Sequence, residues 1–549
     1  MYLSRREFVQ YAAVTGLAAP LSAAGLAAEP APAGRTPAPS YAPPPPFELE
    51  EVTILQLQDG LKSGKYTSRR LCTAYLARIQ QIDGAGPTLR SVIETNPDAL
   101  SLADAADADR KAGHVRGPLH GIPVLIKDNI ATGDRMKTTA GSLALADAPA
   151  PRDSTVAKRL RDAGAIIIGK TNLSEWANFR STHSVSGWSG RGGLCKNPYA
   201  LDRNACGSSS GTGAAISANL AAVGVGSETD GSIVCPSGAN SLVGIKPTLG
   251  LVSRRGIVPI SHTQDTAGPM ARTVADAAAL LGVLAGVDPD DAATAAAGGH
   301  IEADYTKFLD PNGLKGARIG VARAKFFGYS SVTDKLVAAA IDAMKQAGAV
   351  IVDPADIPHA GEYDDAEFTV LLYEFKADLN AYLAGLGAQA PNKTLGDLIA
   401  WNDRNHDREL AYFGQEIFTM AQDKGPLTDD AYIEALAHCR RLSRTEGLDA
   451  VFAKEKLDAL VAPTGSPAWT TDLVNGDHFL GASSTPAAVS GYPSITVPVG
   501  YVHGLPVGMS FIGTAWSEPT LIRLSYAYEQ AVKPRRAPRF LPTLDLSAP

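Results

Sequence analysis

The sequence predicts an α/β fold in a single large domain, running from about Phe47 to Ala537, and three observations predict it. A helix, glycine, strand grammar recurs, short apolar runs bounded by Gly, Pro or Thr punctuate the chain, and no segment between them has a linker's composition. The third observation overrides the length prior, which for 549 residues would suggest several domains. With 45% hydrophobic residues the chain can bury a large core, and 53 Gly with 37 Pro fit a loop-rich α/β protein rather than a helical bundle.

Taken in order, residues 1–28 read as a twin-arginine signal: Arg5-Arg6 precede an Ala/Leu/Val segment and a small-residue Gly25-Leu26-Ala27 that suits cleavage. Residues 29–46 are rich in Pro and Ala and read as an extended tether. A helix is expected from near Thr53 to Gly64, and Thr67-Ser68 start a second that carries Leu71, Tyr75 and Ile79. The run from Gly117 to Asn129 contains Val124-Leu125-Ile126-Lys127, a short buried strand that delivers an amine to a sheet edge. Helix then strand follow at 153–168 and again at 332–352, with Val337, Ile341 and Met344 on one helical face. Further strands are expected at Ile319 to Ala322 and Leu460 to Ala462. Residues 355–450 carry charged helices and read as an appended helical layer that walls a cleft. Paired strands at 491–498 and 504–511 precede a last helix capped by Ser517, and residues 538–549 form a C-terminal tail.

A net charge of −7 and a pI near 5.8 leave no basic field, which argues against a nucleic-acid partner. No stretch after residue 28 is long and apolar enough for a membrane span. Cys72, Cys195, Cys206, Cys235 and Cys439 show no metal-ligand spacing, so no metal is expected. Cys206 and Cys235 flank two serine-rich turns, 207–213 and 227–232, and read as small core fillers; whether they pair is left open.

The stretch Asn204 to Ile233 holds two hydroxyl-rich turns, 207–213 and 227–232, around an uncharged Ala/Ile/Leu/Val run that must be buried. A hairpin or a helix-strand unit would bring Ser208 and Ser232 to one edge of a core. Glycines beside both serines let backbone N–H groups converge on a ligand atom. A serine nucleophile needs a base and donors for its oxyanion. Ser232 follows Thr229-Asp230-Gly231, whose N–H groups with its own suit an oxyanion nest. The histidines lie mostly in polar loops or helices and no H-E-x-x-H occurs. A lysine kept neutral by burial is the physical alternative.

These residues resemble the amidase signature family. The resemblance rests on Gly207-Ser208-Ser209-Ser210-Gly211, Ala214 to Val225, Thr229-Asp230-Gly231-Ser232-Ile233, Lys246-Pro247-Thr248, the upstream run from His120 to Asn129, Gly169 to Asn172, Asp265 to Pro269 and Pro506 to Gly508. It spans the chain after the tether. It implies a mixed β-sheet covered by helices on both faces and a Ser-cisSer-Lys triad: Ser232 the nucleophile, Ser208 the proton relay after a cis Gly207–Ser208 bond, and Lys127 the neutral base. It implies no cofactor. The runs 228–236, 169–179 and 513–519 are most similar to bacterial peptide amidases, which implies a peptide-amide substrate, cleaved to acid and ammonia, and with the leader a periplasmic or secreted enzyme. A fatty-acid or other small-amide hydrolase and the glutamine-amidase component of an amidotransferase are rivals within the family. An exported anion-binding protein without turnover is the rival outside it. Many family members have glycine where this chain has Asp230, whose carboxylate is expected either to serve as a structural hydrogen-bonder or to touch substrate.

Overall fold

A computed structural model of the chain describes residues 44–388 and 390–547. The leader, residues 1–28, and all but the last residues of the tether lie outside them. The described chain builds one eleven-stranded mixed sheet. Its strands in chain order are β1 (Val92–Thr95), β2 (Pro123–Lys127), β3 (Ile166–Thr171), β4 (Val223–Glu228), β5 (Val243–Lys246), β6 (Thr266–Ala271), β7 (Arg318–Val321), β8 (Val350–Val352), β9 (Ala459–Pro463), β10 (Ser494–Val502) and β11 (Leu505–Ile512). The spatial order is β1-β3-β2-β4-β6-β5-β10-β11-β9-β7-β8. The strands β3, β2 and β4 run parallel, as do β9, β7 and β8, and antiparallel strands join the two groups.

Alternation along the strands assigns the two faces. Val124 and Ile126 of β2, Val223 and Val225 of β4, and Val243 and Ile245 of β5 enter one large core with Val156, Leu160, Val337, Ile341, Leu521 and Tyr528 from covering helices. Leu460, Ala462 and Ile512 face the other way, onto Leu448, Val451, Phe452 and Ala487. Helices therefore cover both faces. A third cluster, centred on Phe375, Leu379 and Phe418, is the core of the helical layer, whose longest member is the Asp364–Gly385 helix. Among the described residues no helix is long and apolar enough to cross a membrane.

The N-terminal helices start where their caps place them: Thr53 opens Ile54–Lys62 with a full capping box, and Thr67 accepts from Arg70 N–H at the start of Ser68–Ile79. Ser517 departs from expectation. It precedes the Glu518–Val532 helix, but its hydroxyl donates to the Thr514 carbonyl instead of capping. Beyond residue 537 the chain stays tied down, since Phe540 is buried and donates its N–H to the Pro198 carbonyl.

Candidate active site

The stretch 204–233 folds as a helix-strand unit. The Ser210–Ser217 helix lies on the sheet face opposite the large core, and β4 returns beneath it. Close approach is why the strand carries glycine: a Cβ at Gly224 would stand 2.6 Å from Thr212 Cγ2, and one at Gly226 2.8 Å from Ser209 Oγ. Because β2 and β4 are adjacent and parallel, their C-terminal ends share one edge. Lys127, the last residue of β2, there meets Ser227, near the end of β4.

Lys127, Ser208 and Ser232 come to this edge with unequal exposure. Lys127 and Ser208 are fully buried, whereas Ser232 keeps 8% of its surface. Lys127 Nζ donates to Ser208 Oγ at 2.7 Å, to Ser227 Oγ at 3.0 Å and to the Ser227 carbonyl at 3.2 Å. The Gly207–Ser208 peptide is cis. One residue on, Ser209 N–H donates to the Ser232 carbonyl at 3.2 Å, which binds the two serine turns to each other. Burial pushes the Lys127 amine down to about 7, against the opposing pull of the Asp265 and Glu228 carboxylates.

The other two buried strand lysines differ in their partners. Lys170 Nζ donates to the Ile130 carbonyl and Thr138 Oγ1, and Lys246 Nζ to the Ala487 carbonyl, so both tie elements together. Burial lowers each of them to about 8. Lys127 alone of the three reaches the two serine turns.

Around Ser232 the turn is built to leave donors open. Gly231 has φ +78°, a conformation that glycine adopts without strain. Among the described residues no hydrogen bond engages the N–H of Asp230, Gly231 or Ser232. Glu228 holds the next helix by accepting from Ile233 N–H at 2.7 Å and Val234 N–H at 3.0 Å. Thr229 Oγ1 donates to Asp265 Oδ1 at 2.6 Å, and Asp265 Oδ2 accepts from the N–H groups of Ile260 and Ser261. Burial raises Asp265 to about 6 in spite of these bonds. The Asp230 carboxylate accepts from Thr485 Oγ1 at 2.7 Å through Oδ2. Burial raises its pKa even with Ser484 and Thr485 beside it, and Oδ1 has no partner of hydrogen-bonding geometry.

A cavity of about 620 Å³ at this edge, the front cleft, is lined by Gly207, Asp230 and Gly231 and by the aromatic side chains of Phe368, Trp469 and Phe479. Cys206 and Cys235 also line it, and here the structure corrects the reading of these residues as core fillers: they form a disulfide that ties the turn before Ser208 to the helix after Ser232. The reason lies in tertiary geometry. Two turns 29 residues apart in sequence are brought to a Cα separation of 6.0 Å. Ser227 and Asn129 were not singled out from the sequence. Asn129 Nδ2 donates to Ser227 Oγ at 2.9 Å, so the two orient the hydroxyl that shares the lysine amine with Ser208. The Lys127-Asp128-Asn129 triplet was the available signal.

Comparison with known proteins agrees with this geometry. A family model described as Amidase matches residues 70–522. The peptide amidase of Stenotrophomonas maltophilia is 52% identical, with a TM-score of 0.87 over 90% of this chain and 100% of that one. A probable amidase of Arabidopsis thaliana is 43% identical over 90% of this chain and 93% of its own length. A glutamyl-tRNA(Gln) amidotransferase subunit of Moorella thermoacetica is 34% identical over 89% and 98% respectively.

Proposed function

The chain belongs to the amidase family and is an amidohydrolase, and from that premise we propose that it deamidates C-terminal peptide amides through an acyl-Ser232 intermediate. The carrying observation is the fully buried Lys127 amine, held at about 7 and 2.7 Å from the Ser208 hydroxyl. Neutral lysine draws on Ser208, which takes the proton of Ser232 as its oxygen attacks the carbonyl carbon. The oxyanion is held by the N–H groups of Thr229, Asp230, Gly231 and Ser232. Ser208 passes the proton to the leaving nitrogen and ammonia departs. Water then attacks the ester and the same groups return a proton to Ser232.

The peptide-amide preference is supported by the identity to the Stenotrophomonas enzyme, which exceeds that to the Moorella amidotransferase component. It is also supported by a cleft with room for a peptide and aromatic side chains in its lining. Export by the twin-arginine route to the periplasm or medium follows from residues 1–28. A fluorophosphonate should label Ser232 stoichiometrically, and mass spectrometry of a mixture should show peptide amides converted ahead of fatty amides and free amino-acid amides. An unlabelled Ser232, or conversion of fatty amides first, overturns the proposal.

A further inference from the structure

A second cavity, of about 360 Å³, reaches the same catalytic edge from another side. It shares no lining residue with the front cleft. Its inner wall is formed by Asn129, Ser227, Glu228 and Thr229, which include the hydroxyl that Lys127 Nζ touches at 3.0 Å. Two oxygens of that wall, Asn129 Oδ1 and Glu228 Oε1, are buried without a hydrogen-bond partner. Unpaired buried acceptors on the wall of an open cavity are the usual seats of ordered water. The cavity is also lined by charged groups, with the largely buried Arg254 paired to Asp291 and the more exposed His262 to Asp378 at 2.9 Å.

The front cleft, by contrast, is where the acyl portion of a peptide amide would lie. Once Ser232 is acylated that portion stands between the ester and bulk solvent on the front side. We infer that the second cavity is a solvent conduit through which the deacylating water reaches the acyl-Ser232 ester while the front cleft is filled. This rests on the acyl-serine reading above. In the step it serves, a C–O bond forms between the water oxygen and the acyl carbon and the acyl carbon–Ser232 Oγ bond breaks. One water proton goes by way of Ser208 to Ser232 Oγ, and the product leaves as the acid.

The test narrows the conduit without touching the residues assigned to chemistry. Ala381 lies exposed at the rim, on the helical layer, and Val258 lies deeper. Ala381→Trp and Val258→Phe, each checked for folding by thermal melt, are assayed on a peptide amide with intact-mass detection of the enzyme. If water enters here, kcat and KM fall together by about tenfold or more, kcat/KM holds, and acyl-Ser232 becomes the main species. With propionamide, whose short acyl group leaves the front cleft open, kcat is unchanged. Deacylation at the wild-type rate in both folded variants overturns the conduit alone. So does equal slowing with propionamide. A wild-type enzyme that never acylates Ser232 overturns the conduit together with the mechanism on which it rests.

Discussion

A lysine at the end of a buried strand is ordinarily charged and reaches for water, so the proposed role of Lys127 as base predicts how hydrolysis depends on pH. Its amine titrates near 7 and only the neutral form accepts a proton. Below that value it is protonated and inactive; above it, free. The measured kcat/KM should therefore climb as pH rises through about 7 and level off above it. A profile that is flat from pH 5 to 9 with chemistry limiting would contradict the role. Ser208→Ala removes the 2.7 Å contact of the amine and should cost at least a hundredfold in kcat while a peptide amide still binds, measurable by equilibrium binding and steady-state assay. At this scale the two serine turns and the Thr229 to Ser232 nest were legible because glycine and hydroxyl spacing is local information, whereas the roles of Lys127 and Ser208 came from the resemblance to the amidase signature family. Ser227 escaped notice because its partner is set by which strands lie side by side, something that a serine in a turn does not advertise. The bond from Thr485, 255 residues away, to the Asp230 carboxylate was likewise invisible in the sequence.

Elements were read well where their signals are chemical and poorly where they are tertiary. Threonine caps and glycine stops located the N-terminal helices. The bridge between Cys206 and Cys235 had no such signature, since a small buried side chain and a half-cystine look alike in a sequence. Closing a loop of 29 residues should stabilise the fold by roughly 3 to 4 kcal/mol through the unfolded state. The Cys206→Ser, Cys235→Ser double variant is accordingly expected to melt several degrees lower than wild type in calorimetry. The reduced protein should match it; equal melting of all three would show that the bridge contributes nothing.

For the molecule as a whole, the α/β class, one large domain and a helical second layer were legible because apolar alternation and its interruptions run the length of the chain. The strand order was not legible: it depends on crossovers that no local pattern encodes. One consequence of that order is that the segment after the last helix returns to the beginning of the domain. Arg535 there makes a bidentate pair with Glu51, both contacts at 2.8 Å, and also donates to the Ser241 and Ser217 carbonyls. Arg535→Ala strands these partners and should lower the free energy of unfolding by about 3 kcal/mol in urea titration. An unchanged midpoint would mean that the two ends of the domain are held by packing alone.

The side-by-side placement of β2 and β4 has a historical consequence. A pleated segment counts in twos, so gaining or losing one residue between Pro123 and Lys127 would swing the amine to the opposite side of the sheet and hand its place to Ile126 or Asp128 respectively. Descent can thus edit this strand by exchanging letters but not by changing its length one letter at a time. Insertions and deletions that leave a working enzyme should be found in its flanking loops.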